Sequence, residues 1–118
     1  MKTNQEMVRY IDNFSVIQRT SDGYFDGGEL LRQWNNVDEN PRRRMSEFID
    51  SPKTKEFLKA LSVDESHRLK TDIGENQLLI KTKGRNTKDG KTPDKVWMNP
   101  LLFIKFAMWI NPTFEVKV

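Results

Sequence analysis

The sequence predicts a single α+β domain of two β-hairpins and about four helices, with the last helix buried. Three observations carry that expectation. The chain has 118 residues, of which 36% are hydrophobic and 31% charged, enough for one core of moderate size and too apolar for general disorder. Two stretches pair extended-type residues across turn signals. Near the end, an almost wholly apolar segment lies between Asn99-Pro100 and Asn111-Pro112.

The elements follow in order. Residues 14–19 roughly alternate, Asp22-Gly23 marks a turn, and Tyr24-Phe25 resumes an extended pattern, which together predict the first hairpin. Asp26 is placed to cap a helix whose Leu30, Leu31 and Trp34 share one face, ending near Asn35-Asn36. Pro41 opens the first turn of a second helix, with Met45, Phe48 and Ile49 inward and Arg42, Arg43 and Arg44 at its start. Ser51-Pro52 repeats the cap-plus-proline signal, and Phe57, Leu58 and Leu61 supply the next apolar stripe, leaving Lys53, Lys55 and Lys59 outward. Residues 64–77 are polar and carry no clear pattern. Leu78-Leu79-Ile80 and Val96-Trp97 predict two strands joined by a long loop containing Gly84, Gly90 and Pro93. Asn99 then caps a helix with Pro100 in its first position, apolar on nearly every side and therefore expected in the core. Residues 1–13 are expected to be an N-terminal extension and 14–118 the domain.

Composition narrows the chemistry. Cysteine is absent, so neither a disulfide framework nor a thiolate metal site exists, and a single histidine, His67, does not make a zinc site. No cofactor or metal is expected. The start, MKTNQEMVRYID, lacks the apolar core of a signal peptide, and no apolar run reaches the roughly 18 residues of a membrane span. A cytoplasmic protein without membrane contact is expected. No nucleophile elbow, phosphate-cradling glycine loop or paired-carboxylate motif appears, Asp22, Asp26 and Glu29 fitting turn and cap roles, so an enzyme is not expected.

Charge is unevenly spread although the formal net charge is only +3. Residues 1–40 carry four Lys/Arg against seven Asp/Glu, whereas residues 81–95 carry six against two. The second hairpin therefore has a basic tip. Three arginines at a helix start oppose the macrodipole, so helix stability does not explain them and a partner does.

The run Val96-Trp97-Met98-Asn99-Pro100, the apolar helix after it, and Trp109-Ile110-Asn111-Pro112-Thr113-Phe114 resemble the C-terminal half of the KilA-N domain. Ile17-Gln18-Arg19 before Asp22-Gly23-Tyr24, followed by a helix and a Trp, resemble its opening hairpin and first helix. The resemblance covers residues 14–118. Two places depart from it: Asp26-Gly27-Gly28 stands where the family usually has an Asn-Ala-Thr-like sequence, and Lys95-Val96-Trp97 where it has Gly-Thr-Trp. The resemblance implies a winged-helix-like arrangement related to the fungal APSES DNA-binding domains, common in bacteriophages and DNA viruses. It implies binding to duplex DNA, a role in transcription regulation, and no catalysis. Members of the family often continue into a second domain, so a longer parent protein is expected.

On that basis the basic hairpin is expected to act as a wing, with Lys81, Lys83, Lys88 and Lys91 on phosphates and Arg85 and Asn86 near base edges. A helix of the 27–61 region would approach the major groove, with Arg42, Arg43, Arg44, Lys53 and Lys55 adding phosphate contacts. The alternative is a protein interaction module that binds a protein partner or a second copy of itself through an apolar face near residues 116–118 or through the basic loop, with no affinity for nucleic acid.

Overall fold

The computed structural model describes residues 5–84, 86–88, 90, 91 and 93–114. The elements are β1 (Glu6–Ile11), β2 (Phe14–Arg19), β3 (Phe25–Asp26), α1 (Gly27–Asn35), α2 (Met45–Ile49), α3 (Pro52–Leu69), a single 3-10 turn (Glu75–Gln77), β4 (Leu79–Thr82), β5 (Asn86–Thr87), β6 (Gly90–Lys91), β7 (Lys95–Met98) and α4 (Pro100–Ile110). Five strands form one antiparallel sheet in the order β1-β2-β3-β7-β4, and β5 and β6 form a separate two-stranded ribbon. This is the α+β arrangement of hairpins and four helices that the sequence predicts.

Local chemistry sets the hairpins. Between β2 and β3, Gly23 takes a left-handed φ of 77° and the Asp22 carboxylate accepts from the Tyr24 N–H at 3.0 Å and from Arg19 Nη2 at 2.7 Å. Burial would raise the Asp22 carboxyl, but the Arg19 fork and the Tyr24 N–H outweigh it and hold it below the ordinary aspartate range. The second hairpin pairs Leu79 with Met98, Ile80 with Trp97, Lys81 with Val96 and Thr82 with Lys95.

The inner face of the sheet and the helices enclose one core. Val16, Leu30, Leu78, Met98, Leu102, Phe103, Phe106, Ala107 and Ile110 have no exposed surface. Phe103 stacks on Phe25 at 4.5 Å between ring centroids, and Phe106 meets Phe48 edge-on at 5.0 Å, which ties α4 to the sheet on one side and to α2 on the other. Trp34, Phe14 and Phe114 form a second ring cluster, with the Trp34 indole N–H donating to the Pro41 carbonyl at 2.7 Å.

Four local expectations are corrected. Pro41 does not open a helix: residues 41–44 are irregular and α2 begins only at Met45, because Asn35 brackets Arg43 from both sides, its Oδ1 accepting the Arg43 N–H and its Nδ2 donating to the Arg43 carbonyl. The first six residues of the unassigned segment 64–77 are helix, since α3 runs to Leu69, held by Ser62 and Ser66 hydroxyls that both donate to the Ile73 carbonyl and by the Glu65–Arg68 pair. Lys70 ends α3 in the left-handed region where glycine is usual. The last helix is not buried all round, because Leu101 (53% exposed), Lys105 and Met108 (48% exposed) form one outward stripe at helical spacing. Finally, the stretch expected as an N-terminal extension carries β1, paired along its whole length with β2 across the two-residue turn Asp12-Asn13.

Candidate nucleic-acid interface

The basic hairpin is a built structure at its base. Asp26, only 1% exposed, places Oδ1 on two backbone donors at once, Gly28 N–H at the start of α1 and Val96 N–H in β7, both at 3.1 Å. Burial pushes this carboxyl above the ordinary aspartate range, against the pull of the Val96 N–H and of Arg32, whose guanidinium lies 3.9 Å away. Arg32 continues the link, donating to the Asp94 carbonyl at 2.9 Å while pairing with Glu29 at 2.6 Å. Asp94 in turn accepts the Gly84 N–H at 2.7 Å, which closes the two arms of the hairpin upon each other. Two residues of α1, Gly28 through the Asp26 carboxylate and Arg32 through the Asp94 carbonyl, thus fix the root of the wing to the first helix.

Lys81 and Lys83 at the root and Asn86 and Lys88 beyond it are exposed, and none of the three lysines pairs with a carboxylate among the described residues. Asn86 pairs with Lys91, and Thr87 with Gly90, in the β5–β6 ribbon. Arg85 and the side chain of Lys91 lie outside the described residues, as does the apolar segment 116–118 named in the protein-partner alternative. Lys95, at the root, is held by Glu6 at 3.5 Å and sits over the Trp97 ring at 5.6 Å, with the Arg19 guanidinium over the same ring at 4.8 Å.

The second basic stretch divides. Arg42 and Arg44 are exposed, whereas Arg43 is half-buried and its Nε donates to the Ile110 carbonyl at 3.3 Å. That bond places a cation at the C-terminus of α4, where the macrodipole favours it. The three arginines are therefore not equivalent. Lys53 and Lys55 are exposed in the first turn of α3, which follows α2 after only Asp50 and Ser51. α1 joins the two regions: its capping residue Asp26 carries the wing root and its last residue Asn35 the arginine loop. At 1.5 Å per residue that is about 13 Å along the helix axis, roughly four base-pair steps of duplex.

Arg32 and Asp94, which position the wing, carry no local signal in the sequence, because the bond between them spans 62 positions. Asp26 is legible as a cap, which it is, but its second bond to Val96 spans 70 positions and is not.

The molecule is thus a small α+β domain with a basic hairpin rooted on its first helix and a second exposed basic segment, residues 42–55, leading into α2 and α3. Comparison gives the family: the KilA-N domain matches residues 8–118, nearly the whole chain, and the chain belongs to that family. KilA-N domains are DNA-binding, and the fold is of the APSES-like kind. No curated protein and no solved structure matches the chain. Among the described residues no helix is long and apolar enough to cross a membrane.

Proposed function

We propose that this chain binds duplex DNA by laying its basic hairpin against the phosphate backbone, with the basic segment 42–55 seated beside it. The observation that carries this is the wing itself: exposed lysines at 81, 83 and 88, none paired with a carboxylate among the described residues, on a hairpin whose root is bonded to α1. A merely solvated lysine loop needs no such anchor. Counterions released from phosphates supply most of the affinity of such a surface. Arg42, Arg44, Lys53 and Lys55 extend the contact, and Arg43 serves to hold its loop on the end of α4. Arg85 and Asn86 at the ribbon are the candidates for base edges, since guanidinium and amide groups make bidentate bonds to guanine and adenine.

The test is a titration of a labelled random-sequence duplex at several salt concentrations. A log–log slope near −4 corresponds to about four or five neutralised phosphates. Changing Lys83, Arg85 and Lys88 together to Ala is expected to flatten that slope by about 2 to 3. Unchanged affinity in a folded triple variant overturns the wing, and absence of binding at low salt overturns DNA as the ligand.

A further inference from the structure

Among the described residues β1 is one edge of the sheet and pairs only with β2. The Thr20 N–H donates to the Gln5 carbonyl at 2.8 Å, and this fixes the phase of the antiparallel ladder. Residues of odd number turn both backbone groups toward β2, and Glu6, Val8 and Tyr10 turn theirs outward. The edge carries no proline or bulge, and its charged residues are Glu6, which pairs with Lys95, and Arg9. Its side chains are unusually open: Met7 is 40%, Val8 56% and Tyr10 75% exposed.

Beside this edge lies a groove of about 510 Å³ between β1 and the start of α4, lined by Ile11, Phe25, Leu101 and Ile104 among others. Its lining carries one charged side chain, Arg9. Arg9 donates through Nε to Gln18 at 2.9 Å and pairs with no carboxylate among the described residues. We propose that β1 and this groove dock an extended strand from a protein partner, apolar at alternate positions and bearing a carboxylate opposite Arg9. Backbone pairing to Glu6, Val8 and Tyr10 gives such a strand its hold, and the groove and Arg9 give it selectivity. A second copy of β1 does not meet this description. Two antiparallel β1 strands related by a twofold axis bring odd positions against odd, and the odd positions of β1 are Met7, Arg9 and Ile11, without a carboxylate.

The probe is a short fluorescein-labelled peptide alternating Val and Thr with a single central Glu, compared with versions carrying Gln or Lys there, and followed by fluorescence anisotropy. The Glu peptide is expected to bind about tenfold more tightly than the Gln peptide. Val8→Pro removes an outward N–H while leaving the ladder to β2 intact, so it is expected to abolish binding and preserve the circular dichroism spectrum and DNA affinity. Arg9→Glu is expected to exchange the preference, binding the Lys peptide over the Glu peptide, and it tests the same site should Val8→Pro not fold. No binding of the Glu peptide at about millimolar concentration, equal binding of all three peptides, or Val8→Pro binding unchanged each overturns the proposal. So does sedimentation showing a dimer that Val8→Pro dissolves, which would assign the edge to a second copy.

Discussion

Two buried carboxylates respond to pH in opposite directions. Asp26 is pushed above the ordinary aspartate range by burial, so its stabilising share is full below that range and is lost as pH rises through its raised pKa. Glu65 is held below the ordinary glutamate range, first by the bond from Arg68 and then by Asn99, against its own burial. Its share is present above that range and is lost as pH falls through the lowered pKa. In urea unfolding across acid pH, the stability gap between wild type and Asp26→Asn is therefore expected to narrow as pH rises, and the gap between wild type and Glu65→Gln to narrow as pH falls. Parallel trends for the two variants contradict this assignment. Asp26→Ala is expected to cost more than the Asn change at neutral pH, about 1–3 kcal/mol, because the Gly28 and Val96 N–H groups are left without an acceptor.

At the level of elements, α4 depends on its cap. Asn99 Oδ1 accepts the Leu101 N–H at 2.8 Å, and its Nδ2 donates to Glu65 at 3.0 Å, so the cap of α4 is steadied by the C-terminal part of α3. Asn99→Ala is expected to lower stability by about 1–2 kcal/mol in chemical denaturation, and a loss no larger than that of an exposed substitution would show the cap to be idle. In α1, a Cβ on Gly27 would meet the Met98 sulfur and methyl at 2.9 Å and Phe106 at 3.2 Å. Gly27→Ala is expected to cost about 1–3 kcal/mol through overpacking, and Met98→Leu is expected not to be additive with it, a coupling that a double-mutant cycle measures. This close approach also gives a physical reason for glycine at one of the positions where the sequence departs from its family's usual residues. α3 is harder to see in sequence. Among its 18 residues only Thr54, Leu61 and Glu65 are buried, so its apolar pattern is weak and its end has no glycine.

For the whole molecule, stability rests on one ring-rich core in which Phe106 touches Phe48, Phe103 and Trp109. Phe106→Ala is expected to cost about 3–5 kcal/mol, a large share of the about 5–15 kcal/mol typical of a domain. Thermal unfolding near or below growth temperature is the expected outcome, and a small shift in midpoint would place the core elsewhere. Trp109, half-buried, is expected to cost less than Phe106 on the same truncation. The wing depends on that core indirectly: Val96 and Met98 are buried in it, while Lys81, Lys83 and Lys88 are exposed.

Sequence by itself determined the parts whose signals are local. The Asp22-Gly23 turn, the Asp26 and Asn99 caps, Pro52 and Pro100 in first turns and the apolar stripes of α1 and α4 each act within a few residues, and the family signature is written in them. β1 offered little such signal, since five of its six side chains are exposed and its pairing to β2 is what holds it in the sheet. Tertiary structure decided what depends on distant partners. Arg43 is tied to the end of α4 because its Nε meets Ile110, 67 positions away, and α3 extends through bonds from Ser62 and Ser66 to Ile73. The wing likewise has a fixed root because Asp26, Arg32 and Asp94 meet across the fold. Such bonds form only after the chain has closed the intervening loops, and no local pattern of polarity or propensity records them.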